Sequence, residues 1–124
     1  MEQILLHLFG DYILQNDNVG LRKKEKSLTG LAYCIFHCIT YSLPFFLITN
    51  WLGVLLIAIG HFVIDRWNLV GHFIKAKNFV KTMDNFGYKP ERPFAIAIWL
   101  YIIQDNTVHV IWNYGVILLC AKYL

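Results

Sequence analysis

The chain has 124 residues, 57% hydrophobic and 15% charged, with a net charge of +3 and a mean hydropathy of +0.48. Soluble domains carry nearer a quarter charged residues, so this composition argues for one membrane-embedded helical domain, residues 1–124, rather than a water-soluble globule. The modest positive charge sits in two clusters, not in the broad basic stripe of a nucleic-acid surface, which excludes that class of partner.

The first segment, residues 2–15, is apolar at Ile4, Leu5, Leu6, Leu8, Phe9, Tyr12, Ile13 and Leu14, yet it carries His7 and Asp11. It has neither the basic start nor the small-residue cleavage site of a secretory leader, and it reads as a retained helix too short for a full span. Arg22, Lys23, Lys24 and Lys26 follow. Residues 28–64 contain no Asp, Glu, Lys or Arg, which leaves room for two spanning helices of roughly 20 residues each. The pattern predicts a hairpin of helices 29–48 and 51–70 that turns at Thr49-Asn50, with Trp51 at an interface. Pro44 should bend the first helix because it removes a backbone donor.

Residues 66–92 then gather Arg66, Lys75, Lys77, Lys81, Lys89 and Arg92, interleaved with Phe73, Ile74, Phe79, Val80, Met83 and Phe86. That mixture suits an interfacial helix or an ordinary solvated loop. After the breakers Pro90 and Pro93, residues 94–121 form a last apolar run whose one Asp, Glu, Lys or Arg is Asp105. Both basic clusters fall on one side of the hairpin, as the positive-inside rule requires. The expected architecture is all-α: a four-helix membrane bundle with three clear spans and a short N-terminal membrane helix. A homo-oligomer is compatible with this pattern.

Ionisable residues inside a span are costly unless paired, so they mark function by default. Here their spacing is ordered: His7 and Asp11, His61 and Asp65, and Asp105 and His109 are each four apart. Residues i and i+4 share a helix face, with Cβ atoms about 5–6 Å apart. Five His and five Asp in 124 positions predict about 0.4 such pairs by chance; three are present, with His37 alone in a fourth apolar helix. One pair is commonly an interhelical hydrogen bond. Four His and three Asp together supply the mixed N/O ligands of a zinc, manganese or iron site, enough for one or two ions. The expected ligands are His7, Asp11, His37, His61, Asp65, Asp105 and His109, with zinc the first choice. An Asp that does not bind directly would orient a histidine.

Gln15 continues the face of His7 and Asp11, while Asn68, Gln104 and Asn106 adjoin the other pairs and suit interhelical hydrogen bonds equally well. Arg66 and Lys75 are the cations nearest the cluster and are expected to hold an anionic group, although Arg66 also suits a membrane boundary. His72 is expected outside the cluster, at the interface. Cys34, Cys38 and Cys120 lack the C-x2-C spacing of a zinc knuckle and read as packing residues. No phosphate-binding loop, G-x-S-x-G or H-E-x-x-H motif occurs, and no box of adjacent histidines points to a di-iron lipid oxidase.

The opening His7-Leu-Phe-Gly-Asp11-Tyr-Ile-Leu-Gln15, the mid-span His37, His61-Phe-Val-Ile-Asp65 and Gln104-Asp105-x3-His109 together resemble a small family of bacterial and phage membrane domains of unknown function. That family is akin to integral membrane metal-dependent hydrolases, and the resemblance covers nearly the whole chain. It implies a metal-dependent hydrolase, and the leading expectation is a multi-pass enzyme of the bacterial inner membrane acting on a phospholipid or another membrane-associated phosphoester. Asp65 and Asp105 would then act in catalysis, and Arg66 would hold the anion. Two alternatives come from other classes: an ion- or proton-translocating membrane protein, and a phage-type membrane effector without catalysis.

Overall fold

Asn50 sets where the hairpin turns. Its side-chain oxygen accepts from the Gly53 N–H at 2.9 Å, satisfying one of the amide groups that a helix start leaves unpaired. In the computed structural model, which describes residues 1–123, all regular elements among those residues are helical. Helix α1 covers Glu2–Leu8 and continues through one wide π-type turn, Phe9–Ile13. Helix α2, Asp17–Arg22, is a short element that the sequence reading did not anticipate; the Asn16 side chain caps it through Val19 N–H at 3.0 Å.

Helix α3 spans Leu28–Ser42 and starts at a Ser27 cap, whose hydroxyl accepts from Gly30 N–H at 3.0 Å. At Pro44 the chain tightens into a 3-10 stretch, Leu43–Leu47, the expected consequence of a missing donor. Helix α4 runs Trp51–Arg66 and α5 runs Leu69–Lys77. The single helix expected over 51–70 is therefore broken. Asn68 adopts the left-handed conformation (φ 47°, ψ 47°), which Asn tolerates and which ends a helix, and the two pieces bend by 54°. Turns lead through Gly87, at φ +81°, to α6, Phe94–Tyr123. A side chain at Gly87 would also collide with the backbone of Lys75 and Gly71.

Two segments, Leu28–Leu47 and Phe94–Tyr123, are long and apolar enough to cross a membrane, and the bent pair α4–α5 makes a third if counted as one span. Their outward faces agree with a lipid environment. Phe36, Ile39 and Phe46 are exposed on the first, Leu55 and Ile59 on α4, and Ile103, Ile111 and Leu118 on α6. So much exposed apolar surface is foreign to a soluble monomer.

The interior is layered. Near the hairpin turn, Tyr41, Phe45, Val54, Ile57, Val116 and Cys120 form one apolar cluster. Toward the basic connection, Ile64, Val70, Ile74, Tyr88 and Ala97 form another. Along α4 and α6, the histidines and aspartates fall between the two. Gly60 lets α4 and α6 approach at this level: the Trp112 indole lies where a Cβ would stand, 1.9 Å from it, and donates to Leu56 O at 3.0 Å. In the 66–92 segment, Ile74 is buried and Phe86 packs on the second cluster, while Phe73 and Phe79 face outward. His72 is exposed on α5.

Candidate metal centre

Helix periodicity delivers the first part of the site. His61 and Asp65 lie one turn apart on the inward face of α4, and both are buried; His109 is buried on α6 and His37 on α3. The N-terminal element completes the ring by close approach. A Cβ on Gly10 would stand 2.5 Å from the Tyr41 ring, so only glycine lets this segment lie flat against α3. The next residue, Asp11, belongs to the wide turn and faces His37 and His61.

Two donor groups result, and they share His61. In the first, Asp11 Oδ1 lies 3.1 Å from His37 Nε2 and 3.5 Å from His61 Nε2, and the two ring nitrogens are 2.9 Å apart. A tetrahedral ion with N and O ligands at about 2.0–2.1 Å spaces its donors by roughly 3.3–3.4 Å, so the three atoms fit one face of such an ion. In the second, Asp65 Oδ2 is 3.4 Å from His61 Nε2 and Asp65 Oδ1 is 3.7 Å from His109 Nε2. Asp11, His37 and His61, and His61, Asp65 and His109, are thus each close enough to hold a metal ion.

The surrounding chemistry agrees with that fit. Asp11 Oδ1 and His109 Nε2 are buried without a hydrogen-bond partner, a condition that native proteins seldom tolerate. His109 Nδ1 donates to the Asp105 carbonyl at 2.9 Å; this fixes the ring tautomer and leaves Nε2 as a lone-pair donor aimed at Asp65. His37 and His61 have no partner on Nδ1, so His109 alone is oriented in this way.

Not all seven expected ligands converge. His7 lies outside both groups: its Nε2 donates to Asn106 Oδ1 at 2.7 Å and its Nδ1 accepts from the Tyr41 hydroxyl at 2.8 Å. Asp11 Oδ2 lies 3.4 Å from the same Nδ1, which already accepts from Tyr41, so His7 packs beside the carboxylate without a hydrogen bond to it. Asp105 is also outside, with Oδ2 3.8 Å from His109 Nδ1. Arg66 reaches back to the Glu25 carbonyl. Lys75 is half-buried on α5. Asn106 serves His7, Tyr12 and Ile102. Asn68 accepts from Tyr101 at 2.8 Å, and Gln104 bonds Tyr88, Lys77 and the Leu100 carbonyl; these two are structural. Gln15 packs beside Gly20. Cys34, Cys38 and Cys120 are buried free thiols.

Sequence reasoning missed Lys23. Its ammonium stands 2.6 Å from Asp65 Oδ2 and 3.3 Å from His37 Nε2, the one Lys or Arg ion-paired with a cluster carboxylate among the described residues. Its place in a run of four basic residues gave no signal to separate it from its neighbours. Tyr41 was missed too. Its hydroxyl accepts from Asn113 at 2.6 Å while serving His7, which ties the N-terminal element to α3 and α6 at once.

No curated protein and no solved structure matches the chain. One family model does, Protein of unknown function (DUF3307), over residues 1–119, and the chain belongs to that family.

Proposed function

We propose that this protein is a membrane-embedded, divalent-metal-dependent hydrolase of a phospholipid or another lipid-linked phosphoester. The observation that carries the reading is the meeting of Asp11 Oδ1, His37 Nε2 and His61 Nε2 within 3.5 Å of one another, from three separate segments. With Asp65 and His109 beside them, the donor set suits one ion, or two if the second takes Asp65 and His109 alone, because His61 Nε2 can serve only one; zinc is the first choice. Such an ion supplies Lewis-acid activation of water and of a phosphoryl oxygen. The protein's own part is electrostatic and geometric. Asp65 binds or takes a proton, and the Asp105 backbone holds His109 in register. The Asp105 carboxylate, more exposed than that of Asp65, is the group placed to exchange protons with the outside.

The reading also places the chain in a bacterial inner membrane, with three spans if α4–α5 crosses as a bent pair and with the N-terminal helix dipping part-way. Both basic clusters then face the cytoplasm, and the site lies toward that leaflet, where headgroups are within reach. The test is phosphate release from lipid phosphoesters in mixed micelles, with and without added zinc. Turnover by the wild type and none by Asp65→Asn is expected; equal turnover by both would sink the mechanism.

One observation favours a second reading, proton or ion translocation. The ionisable groups follow one another from Asp11 through His37, His61, Asp65 and His109 to Asp105 at separations of 2.9–3.8 Å, and the two end carboxylates are less buried than Asp65. Flux into liposomes that depends on His61 and Asp65, without hydrolysis, would select it.

A further inference from the structure

Lys23 stands where the cluster most needs positive charge. It closes the end of α2 and extends inward until its ammonium touches both donor groups, through His37 Nε2 at 3.3 Å and Asp65 Oδ2 at 2.6 Å. The neighbouring cations are committed elsewhere: Arg22 lies over the Tyr33 ring and Lys24 donates to the Tyr101 hydroxyl at 2.8 Å. Asp11 and Asp65 are otherwise two carboxylates in a protein interior, an arrangement that is strongly unfavourable without a counter-charge.

The contact of Lys23 with His37 excludes a metal on the same atom. An imidazole nitrogen has one in-plane lone pair, so His37 Nε2 serves either the lysine N–H or an ion. An ion held by Asp65 Oδ2 would also stand next to the ammonium, and like charges at that range in a poorly solvated site repel strongly. A lysine is suited to leaving, since its charge rides on a flexible four-carbon stem. Here that stem springs from a helix of six residues at the rim of the bundle.

We infer that Lys23 is the displaceable internal cation of this centre: it closes the donor cluster in the metal-free protein, and metal loading expels it. The inference rests on the metal reading proposed above. It makes Lys23 a positioning residue that sets metal affinity by competition.

Zinc binding is measured by titration calorimetry on the detergent-purified full chain, for the wild type, Lys23→Met and Lys23→Arg. Amine-reactive labelling of the wild type, read by mass spectrometry with and without stoichiometric zinc, accompanies it. Lys23→Met should bind zinc at least about tenfold tighter than the wild type, with Lys23→Arg close to the wild type, because only the first removes the competing charge. Zinc should raise labelling of Lys23 several-fold and leave the exposed Lys122 unchanged. This arm needs no variant, so it decides the matter if Lys23→Met does not fold. Zinc bound by Lys23→Met alone would keep the metal site but overturn the displacement, because the wild-type lysine would then not yield to the ion. Equal affinity in all three proteins, or Lys23 labelling indifferent to zinc, would overturn the displacement and leave the metal site standing. No zinc in any of the three would overturn both.

Discussion

The same helices build two very different interiors within two turns of each other. On α3 with its 3-10 extension, α4 and α6, the level of Tyr41, Phe45, Val54, Ile57, Val116 and Cys120 is apolar and close-packed. One or two turns along, the same inward faces carry His37, His61, Asp65 and His109. The backbone is equally helical at both levels, so the difference lies in the side chains alone. The apolar level holds the helices together and gains from burial. The polar level loses free energy by burial, because each ionisable group leaves water for incomplete partnership. A structure that retains such a layer needs something to compensate it, and Lys23 supplies only part of the charge.

The two levels should respond oppositely to mutation, and the largest effect belongs to the polar one. His61→Ala/Asp65→Ala should lose all bound metal while far-ultraviolet circular dichroism stays helical; a variant with metal content unchanged would break the comparison. In the apolar level, Ile57→Ala should lower unfolding free energy by about 3 kcal/mol and leave metal stoichiometry intact, as read by denaturant titration beside elemental analysis. Tyr41 joins the two levels, its ring in the apolar cluster and its hydroxyl on His7 and Asn113. Tyr41→Phe should cost about 1–3 kcal/mol, because it strands two buried polar groups, and should weaken metal binding as well. Metal affinity untouched by Tyr41→Phe would mean that the tie of Tyr41 to His7 and Asn113 has no part in placing the site.

Glycines give the finest test. Gly60→Ala drives a methyl into the Trp112 indole, and overpacking of this kind costs about 1–3 kcal/mol. Gly115 has open space around it, with nothing within 4 Å of an added Cβ, so Gly115→Ala should shift stability by no more than about 0.5 kcal/mol. Comparable losses from both would show that the close α4–α6 approach is not what sets Gly60 apart, since helix propensity favours alanine at each position.

The i,i+4 pairs were legible in the sequence because helical periodicity is a local property. His61–Asp65 and Asp105–His109 fall on continuous helix as expected, and the chain starts α6 at the predicted Phe94. Which pairs would converge was not legible, because it depends on how each helix is rotated about its axis. His7 turns its ring toward Tyr41 and Asn106, and Asp105 offers His109 its backbone more closely than its carboxylate. The break at Asn68 left only a faint signal, an Asn just past Asp65 and Arg66 with no Gly or Pro beside it. Lys23 left none: whether a lysine at a membrane rim snorkels outward or turns inward is set by what lies beneath it. Here that is Asp65, 42 residues further along the chain.

The central claim, that the polar level is a metal centre, is tested most directly by elemental mass spectrometry of the detergent-purified protein after zinc reconstitution. The wild type and Lys23→Met are measured beside His61→Ala/Asp65→Ala. One or two equivalents of zinc, manganese or iron in the wild type or in Lys23→Met, lost in the double variant, is the predicted result. No metal in the wild type and in Lys23→Met alike would contradict the claim and leave the layer as a buried hydrogen-bond network or a proton path.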